Sequence, residues 1–242
     1  MFILLRKREV ILSALVCAFF AMFSAVMFYD LSQPTPVFAL QNGVPVTVII
    51  DPGHGGEDGG AVSAGGVQES HINLAVSLRL DALLRFTGQH TIMTRREDVS
   101  TCDEGLSTIK ARKASDLRNR VALVNATENA VLLSIHQNSL PSSTVTHGAQ
   151  VFWNTREGAE ELAGAIQETL NAWINVGNEK YTKAIPQTIY LMKNAEAPAV
   201  LVECGFLSNT AETAQLQESS YQMKIAAAVA AGYLHCLKGE GQ

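Results

Sequence analysis

Two histidines and two glutamates in this chain stand where hydrolytic chemistry would need them. His54 lies in Asp51-Pro52-Gly53-His54-Gly55-Gly56, a glycine-rich turn directly after the apolar run Val44 to Ile50. His136 follows the apolar run Ala130 to Ile135 in the same way. Glu203 ends the run Ala199 to Val202, and Glu69 opens an amphipathic stretch. Neutral imidazole is the commonest protein metal ligand, and a catalytic zinc takes three protein ligands and keeps a fourth position for water. One histidine at a strand end says little, but two at equivalent ends of core strands form a constellation. A carboxylate abutting an apolar run is costly to bury unless it is paired or poised for proton transfer. The set offers His54, Glu69 and His136 as zinc ligands and leaves Glu203 as general acid and base. Spacing does not fix that division, because the four residues are far apart in sequence. From position alone, Glu69 is better explained as a carboxylate favoured by a helix N-terminus.

The elements that would bring these residues together alternate between strand and helix. Val46, Val48, Ile49 and Ile50 read as a buried strand, whose carboxyl end carries His54. The glycine-rich stretch to Gly66 is a surface loop; no Gly-Lys-Ser/Thr follows, so the phosphate-loop reading is weak. Glu69 to Phe86 reads as a helix with Ile72, Val76, Leu80 and Leu83-Leu84 on one stripe. His90 to Thr94 is a short strand, Val99 to Ala114 a long polar loop, and Leu117 to Asn125 a helix capped by Ser115 or Asp116. Strands follow at Ala130 to Ile135 and Gly148 to Trp153, then a helix from Glu157 to Trp173. Asn175 to Gln187 is loop, Ile189 to Met192 a short strand, Ala199 to Val202 the last apolar strand, and Ser219 to Leu237 an alanine-rich closing helix. The alternation predicts an α/β fold, a three-layer sandwich with a mostly parallel central sheet and helices on both faces. In such sheets ligands bind at the carboxyl edge of the strands, where His54, His136 and Glu203 all fall.

The 242 residues are 47% hydrophobic and 17% charged, with a local apolar excess. Arg6-Lys7-Arg8 precedes an uncharged apolar stretch from Val10 to Tyr29, about 30 Å of helix and enough to span a bilayer. The basic cluster keeps the N-terminus in the cytoplasm, so the rest is exported. Residues 1–30 read as a retained membrane anchor, with a signal cleaved after Ala39 as the alternative. Residues 31–43 are a linker containing Pro34-Thr35-Pro36, and residues 44–242 suit one domain. Setting aside Arg6, Lys7, Arg8, Glu9 and Asp30, a net +1, the whole-chain charge of −5 becomes −6. That balance excludes a nucleic-acid footprint, which needs a basic face. Cys17, Cys102, Cys204 and Cys236 are widely spaced, so they form neither a disulfide framework nor a Cys-x-x-Cys site.

The motifs, taken in order, resemble those of the zinc-dependent N-acetylmuramoyl-L-alanine amidases. They are Asp51-Pro52-Gly53-His54-Gly55-Gly56, Glu69 before His71-Ile72-Asn73-Leu74-Ala75, Thr94-Arg95, Leu117 with Arg120, Ser134-Ile135-His136-Gln137-Asn138, and Val202 to Asn209. The resemblance runs from Val46 to the last helix and implies that His54, Glu69 and His136 bind one Zn2+ per chain and that Glu203 is the catalytic acid/base. It also implies the reaction, hydrolysis of the amide joining N-acetylmuramic acid to L-alanine in peptidoglycan. Within the family, Ser107 to Lys113 and Ile135 to Ser142 resemble the sporulation group, whose members act on cortex peptidoglycan in the first step towards muramic-δ-lactam. Expected partners are the peptidoglycan substrate, the membrane through the N-terminal segment and an accessory activator protein; the expected location is outside the cytoplasm, in the cell envelope or the forespore intermembrane space.

Three rivals keep parts of this pattern. A zinc peptidase cutting another peptidoglycan amide would use the same residues. A non-catalytic envelope binding protein would need a lost ligand, and none is lost. A cysteine hydrolase would use Cys204, whose simpler explanation is a buried strand-end thiol. Asp51 either orients His54 or caps the turn. Arg120 reads as a structural salt bridge, and His71 as a solvated histidine near the first turn of its helix.

Overall fold

The computed structural model describes residues 45–238 together with 17, 20 and 22. The expected anchor at 1–30 and linker at 31–43 otherwise lie outside the described residues. The chain divides into two compact units, Met1–Thr35 and Pro36–Gln242. Among the described residues no helix is long and apolar enough to cross a membrane.

The second unit is built on one six-stranded sheet. Its strands are β1 (Thr47–Pro52), β2 (His90–Met93), β3 (Ala130–Asn138), β4 (Gln150–Trp153), β5 (Lys183–Ala184) and β6 (Ala199–Phe206), in the order β2-β1-β3-β6-β4-β5. Every neighbouring pair is parallel except β4 with β6. The helices are α1 (Glu69–Phe86), α2 (Ile109–Ala126), α3 (Ala159–Trp173), α4 (Tyr190–Asn194), α5 (Thr210–Leu216) and α6 (Ser219–Lys238).

The pleat sends alternate strand residues into two cores. Val48, Ile50, Val131, Leu133, Ile135, Val200 and Val202 pack beneath the apolar stripes of α1, α3 and α6. Ile49, Leu132 and Leu201 face the other way, against Val124 of α2 and Leu191 and Met192 of α4. Helices thus cover both faces, as a mostly parallel sheet requires and as the sequence predicts. Leu80 and Leu84 of α1 are fully buried in the larger core, where truncating either to alanine costs about 2–5 kcal/mol.

Four expectations are corrected. The helix placed at Leu117 to Asn125 starts at Ile109, inside the stretch read as loop, and its cap is Thr108, whose hydroxyl accepts from the Ala111 N–H. Only Ser115, Arg120 and Val124 of α2 are buried, so its pattern is too polar for apolar periodicity to reveal it. Ile189 to Met192 is not a strand. Ile189 closes a turn on Pro186, and α4 follows, its Leu191 and Met192 filling the smaller core. The loop before it contains the short strand β5, paired with β4. The strands carrying His136 and Glu203 also continue past those residues, to Asn138 and Phe206.

Candidate metal centre

β1, β3 and β6 are adjacent and parallel, so their carboxyl ends share one edge. His54 sits two residues beyond β1, while His136 and Glu203 are register partners on β3 and β6. Glu69 reaches the same edge from the first residue of α1, whose start is tied to the glycine loop by backbone hydrogen bonds from Glu69 to Ala61 and from Ser70 to Gly59.

Three of the four side chains converge. One ligand atom from each of His54, Glu69 and His136 lies within 4.8 Å of the others. His54 Nε2 is 3.3 Å from Glu69 Oε2, and His136 Nδ1 is 2.8 Å from Glu69 Oε1. The imidazole rings meet edge to face with centroids 5.1 Å apart. Glycine is required around them. A Cβ at Gly53 would run into the His136 ring, and one at Gly60, where φ is +70°, would fall against Glu69 Oε2 and the His54 ring.

Glu69 is buried and held on both oxygens. Oε1 also accepts from Asn73 Nδ2 at 3.1 Å and the Gln137 N–H at 3.1 Å, and Oε2 accepts from the Ala61 N–H at 2.8 Å. Burial opposes its charge, but the hydrogen bonds from His136 and His54 outweigh it and hold the carboxyl far below the usual carboxylate range. Burial likewise opposes a charged His54, yet Asp58 and Glu69 hold that ring up at about 9. Two imidazoles and one ionised carboxylate converging at a strand edge are a donor set that fits zinc.

Glu203 behaves differently. It is partly exposed, yet its Oε2 is fully buried and makes no hydrogen bond. Burial pushes its carboxyl up to about 7; the charge of Glu69 adds to this, and His136 and His54 oppose it. A carboxyl titrating there can both take and give a proton near neutral pH.

The backbone of the turn is fixed by two buried arginines. Arg120 donates to Pro52 O at 2.9 Å and His54 O at 2.7 Å, and pairs with Asp51 at 2.6 Å and Asp116 at 2.7 Å. Arg95 donates to Pro52 O, Gly53 O and Ser70 O. Asp51 therefore neither orients His54 nor caps the turn: it anchors Arg120 and accepts from Thr94 and Ser134. The carboxylate on His54 Nδ1 is Asp58, at 3.0 Å. Asp58 and Asn73 are the contacts of the cluster that sequence reasoning missed. For Asn73 the signal was there: four residues beyond Glu69 on α1, it shares that face. His71 is exposed and pairs with Asp98 at 3.1 Å, and Cys204 is buried, its thiol pushed up by burial away from reactivity.

A family model described as N-acetylmuramoyl-L-alanine amidase matches residues 48–234, the whole of this sheet and its helices. The chain belongs to the N-acetylmuramoyl-L-alanine amidase family. Among curated proteins, the germination-specific N-acetylmuramoyl-L-alanine amidase of Bacillus subtilis is 37% identical over 194 residues, covering 80% of this amidase and 81% of the relative. Among solved structures, the CwlD amidase of Clostridioides difficile, determined in complex with the GerS lipoprotein, superposes with a TM-score of 0.76 at 36% identity, over 79% of this chain and 98% of that one. An N-acetylmuramoyl-L-alanine amidase from Clostridium difficile 630 follows at a TM-score of 0.70 and 27% identity, over 81% and 99%. The sheet order and the His-Glu-His cluster therefore belong to an amidase of peptidoglycan, and the expected family and fold hold.

Proposed function

We propose that this amidase holds one zinc ion through His54, Glu69 and His136 and uses Glu203 as its acid/base to cut the amide between N-acetylmuramic acid and L-alanine. The observation that carries the reading is the convergence of those three donor groups with Glu203 in register beside His136. When bound there, zinc supplies a Lewis acid that polarises the scissile carbonyl and a water that ionises near pH ~7. The chain's residues do the rest. Glu69, fixed by Asn73, Ala61 and Gln137, presents its charge without reorganisation. Glu203 takes the proton of the attacking water on its carboxylate and returns it to the nitrogen of L-alanine as the C–N bond breaks. The side chains of Gln137 and Cys204 are buried and outside the donor set.

The likeness to the germination-specific relative supports a role in spore cortex maturation, the first step towards muramic-δ-lactam. The GerS lipoprotein bound to CwlD supports an accessory protein for this amidase as well. The basic cluster and apolar stretch before Tyr29 support a membrane anchor, with 31–43 as tether, 44–242 as catalytic domain and an action outside the cytoplasm.

Digestion of purified peptidoglycan with and without added zinc, with products identified by mass, tests the reaction. Free stem peptides beginning at L-alanine, released only with zinc, are expected. Cuts inside the stem peptide would move the chain to peptidase chemistry, and zinc-independent release would remove the metal from the mechanism.

A further inference from the structure

His54 is the least constrained of the three donor groups by its own backbone. Its φ is +61°, a conformation that residues with a Cβ adopt only when surroundings hold them there. Arg120 fixes its carbonyl, and a two-way backbone pairing of Gly55 with Asp58 closes the turn. Neither sets the orientation of the ring, because a flip about the terminal torsion puts ring carbons where the two nitrogens stood. His136 needs no such device. Its ring packs against Gly53, and its Nδ1 faces Glu69 directly.

The groups on the far side of His54 answer the question. Asp58 Oδ2 is 3.0 Å from His54 Nδ1, while Asp58 Oδ1 takes Lys113 Nζ at 2.7 Å and the Gly60 N–H at 3.3 Å. Asp58 is not among the converging donor groups. Lys113 is half exposed, and an ion pair of that kind contributes at most about 1 kcal/mol to stability. One residue earlier on each element, Arg112 pairs with Glu57 at 2.6 Å. The two ion pairs join the same helix, α2, to the same loop. One of them reaches a donor histidine; the other does not.

We infer that Asp58 is the positioning residue of His54 and Lys113 its anchor, a Lys113–Asp58–His54 relay that holds a proton on Nδ1 and presents the lone pair of Nε2 to the metal. A carboxylate on the outer nitrogen fixes the tautomer and raises ligand basicity, and its loss typically weakens metal affinity about 10- to 100-fold. The inference rests on the proposed role of His54 as a zinc ligand.

The test is the zinc affinity of the full chain in detergent, by competition with a chromogenic chelator at one neutral pH, together with the visible spectrum of the cobalt-substituted protein. Asp58→Ala is expected to weaken zinc by about 10- to 100-fold. Asp58→Asn, whose amide oxygen can still accept from Nδ1, recovers part of that loss. Lys113→Met weakens zinc by a smaller factor, and not at all in an Asp58→Ala background, because the two act through one path. Arg112→Met, the matched control, leaves affinity unchanged. The cobalt bands shift in Asp58→Ala and stay in place in Arg112→Met. The melting temperature of each metal-free variant separates lost folding from lost affinity. Equal losses in Lys113→Met and Arg112→Met would overturn the relay and assign the effect to loop anchoring. Affinity within about twofold of wild type in folded Asp58→Ala, well short of the usual loss, would overturn it outright. A wild-type chain that takes up no zinc would overturn both this inference and the proposed mechanism.

Discussion

Glu69 and Glu203 share one site and titrate in opposite directions. Five hydrogen-bond partners surround Glu69, so its charge is secure; Glu203 has a buried oxygen with none. The same residue type therefore serves as a fixed anion in one place and as a proton carrier in the other. Glu203→Gln is expected to retain zinc by elemental analysis while kcat falls by about 10²- to 10⁴-fold, the usual worth of a general acid/base. Glu203 must be ionised to accept a proton, so activity rises with pH through its pKa. A bound cation draws that pKa down from about 7, so the acid limb of kcat/KM is expected below 7, and it disappears in Glu203→Gln. His136→Ala, by contrast, lowers zinc occupancy. Cys204 takes no part. It is buried and its thiol is held protonated, so a thiol-alkylating reagent leaves turnover intact while a chelator abolishes it. His54, His136 and Glu203 were legible as candidates because each follows an apolar run, whereas Glu69, at a helix start, was singled out only by the family resemblance. Asp58 was not legible, because its approach to His54 depends on the positive φ angles of His54, Gly55 and Gly56, and no side-chain pattern encodes the path of such a turn.

At the scale of elements, the turn after β1 is held by its neighbours rather than by itself. Asp51, at the end of β1, pairs with Arg120 of α2 and accepts from Ser134 of β3 and Thr94 after β2. Burial works against this carboxylate, but Arg120, Ser134 and Thr94 bring it down to about 2 from 3.8. A depressed carboxyl stabilises the fold above its unfolded value and loses that contribution as pH falls through its folded value. The contribution, on the order of 2 kcal/mol, is present above pH 3.8 and lost between pH 3.8 and about 2. Melting temperature followed across that window is expected to drop steeply in the wild type and more shallowly in Asp51→Asn. Arg120→Met leaves Asp51 buried without its partner and costs about 3–5 kcal/mol. The strands of the large core were legible from their continuous apolar runs, and so was α1 from its stripe. α2 was legible only in its second half. Its first turns carry Arg112 and Lys113 to the loop rather than apolar residues into a core, so hydrophobic periodicity cannot see them.

At the scale of the whole molecule, the charge of the chain is unevenly divided. Outside the N-terminal segment the chain carries a net −6, which gives no electrostatic attraction to a polymer bearing stem-peptide carboxylates. The region matched by the amidase family spans residues 48–234. We propose that delivery to the substrate comes from the N-terminal segment, from the groove itself or from a partner protein. An uncharged run from Val10 to Tyr29 behind Arg6-Lys7-Arg8 has the length and polarity to hold the chain in a membrane with residues 31–242 outside the cytoplasm. The full chain is therefore expected in the membrane fraction of intact cells, resistant to alkaline extraction and beginning at Met1. A chain starting at Leu40 should digest purified peptidoglycan as well as the full-length protein, because every donor and acid/base group lies beyond that point, yet it should not replace the full chain in the cell. Recovery of a soluble chain that begins near Leu40 from wild-type cells would replace the anchor with a cleaved signal and leave the groove itself or a partner as the means of delivery.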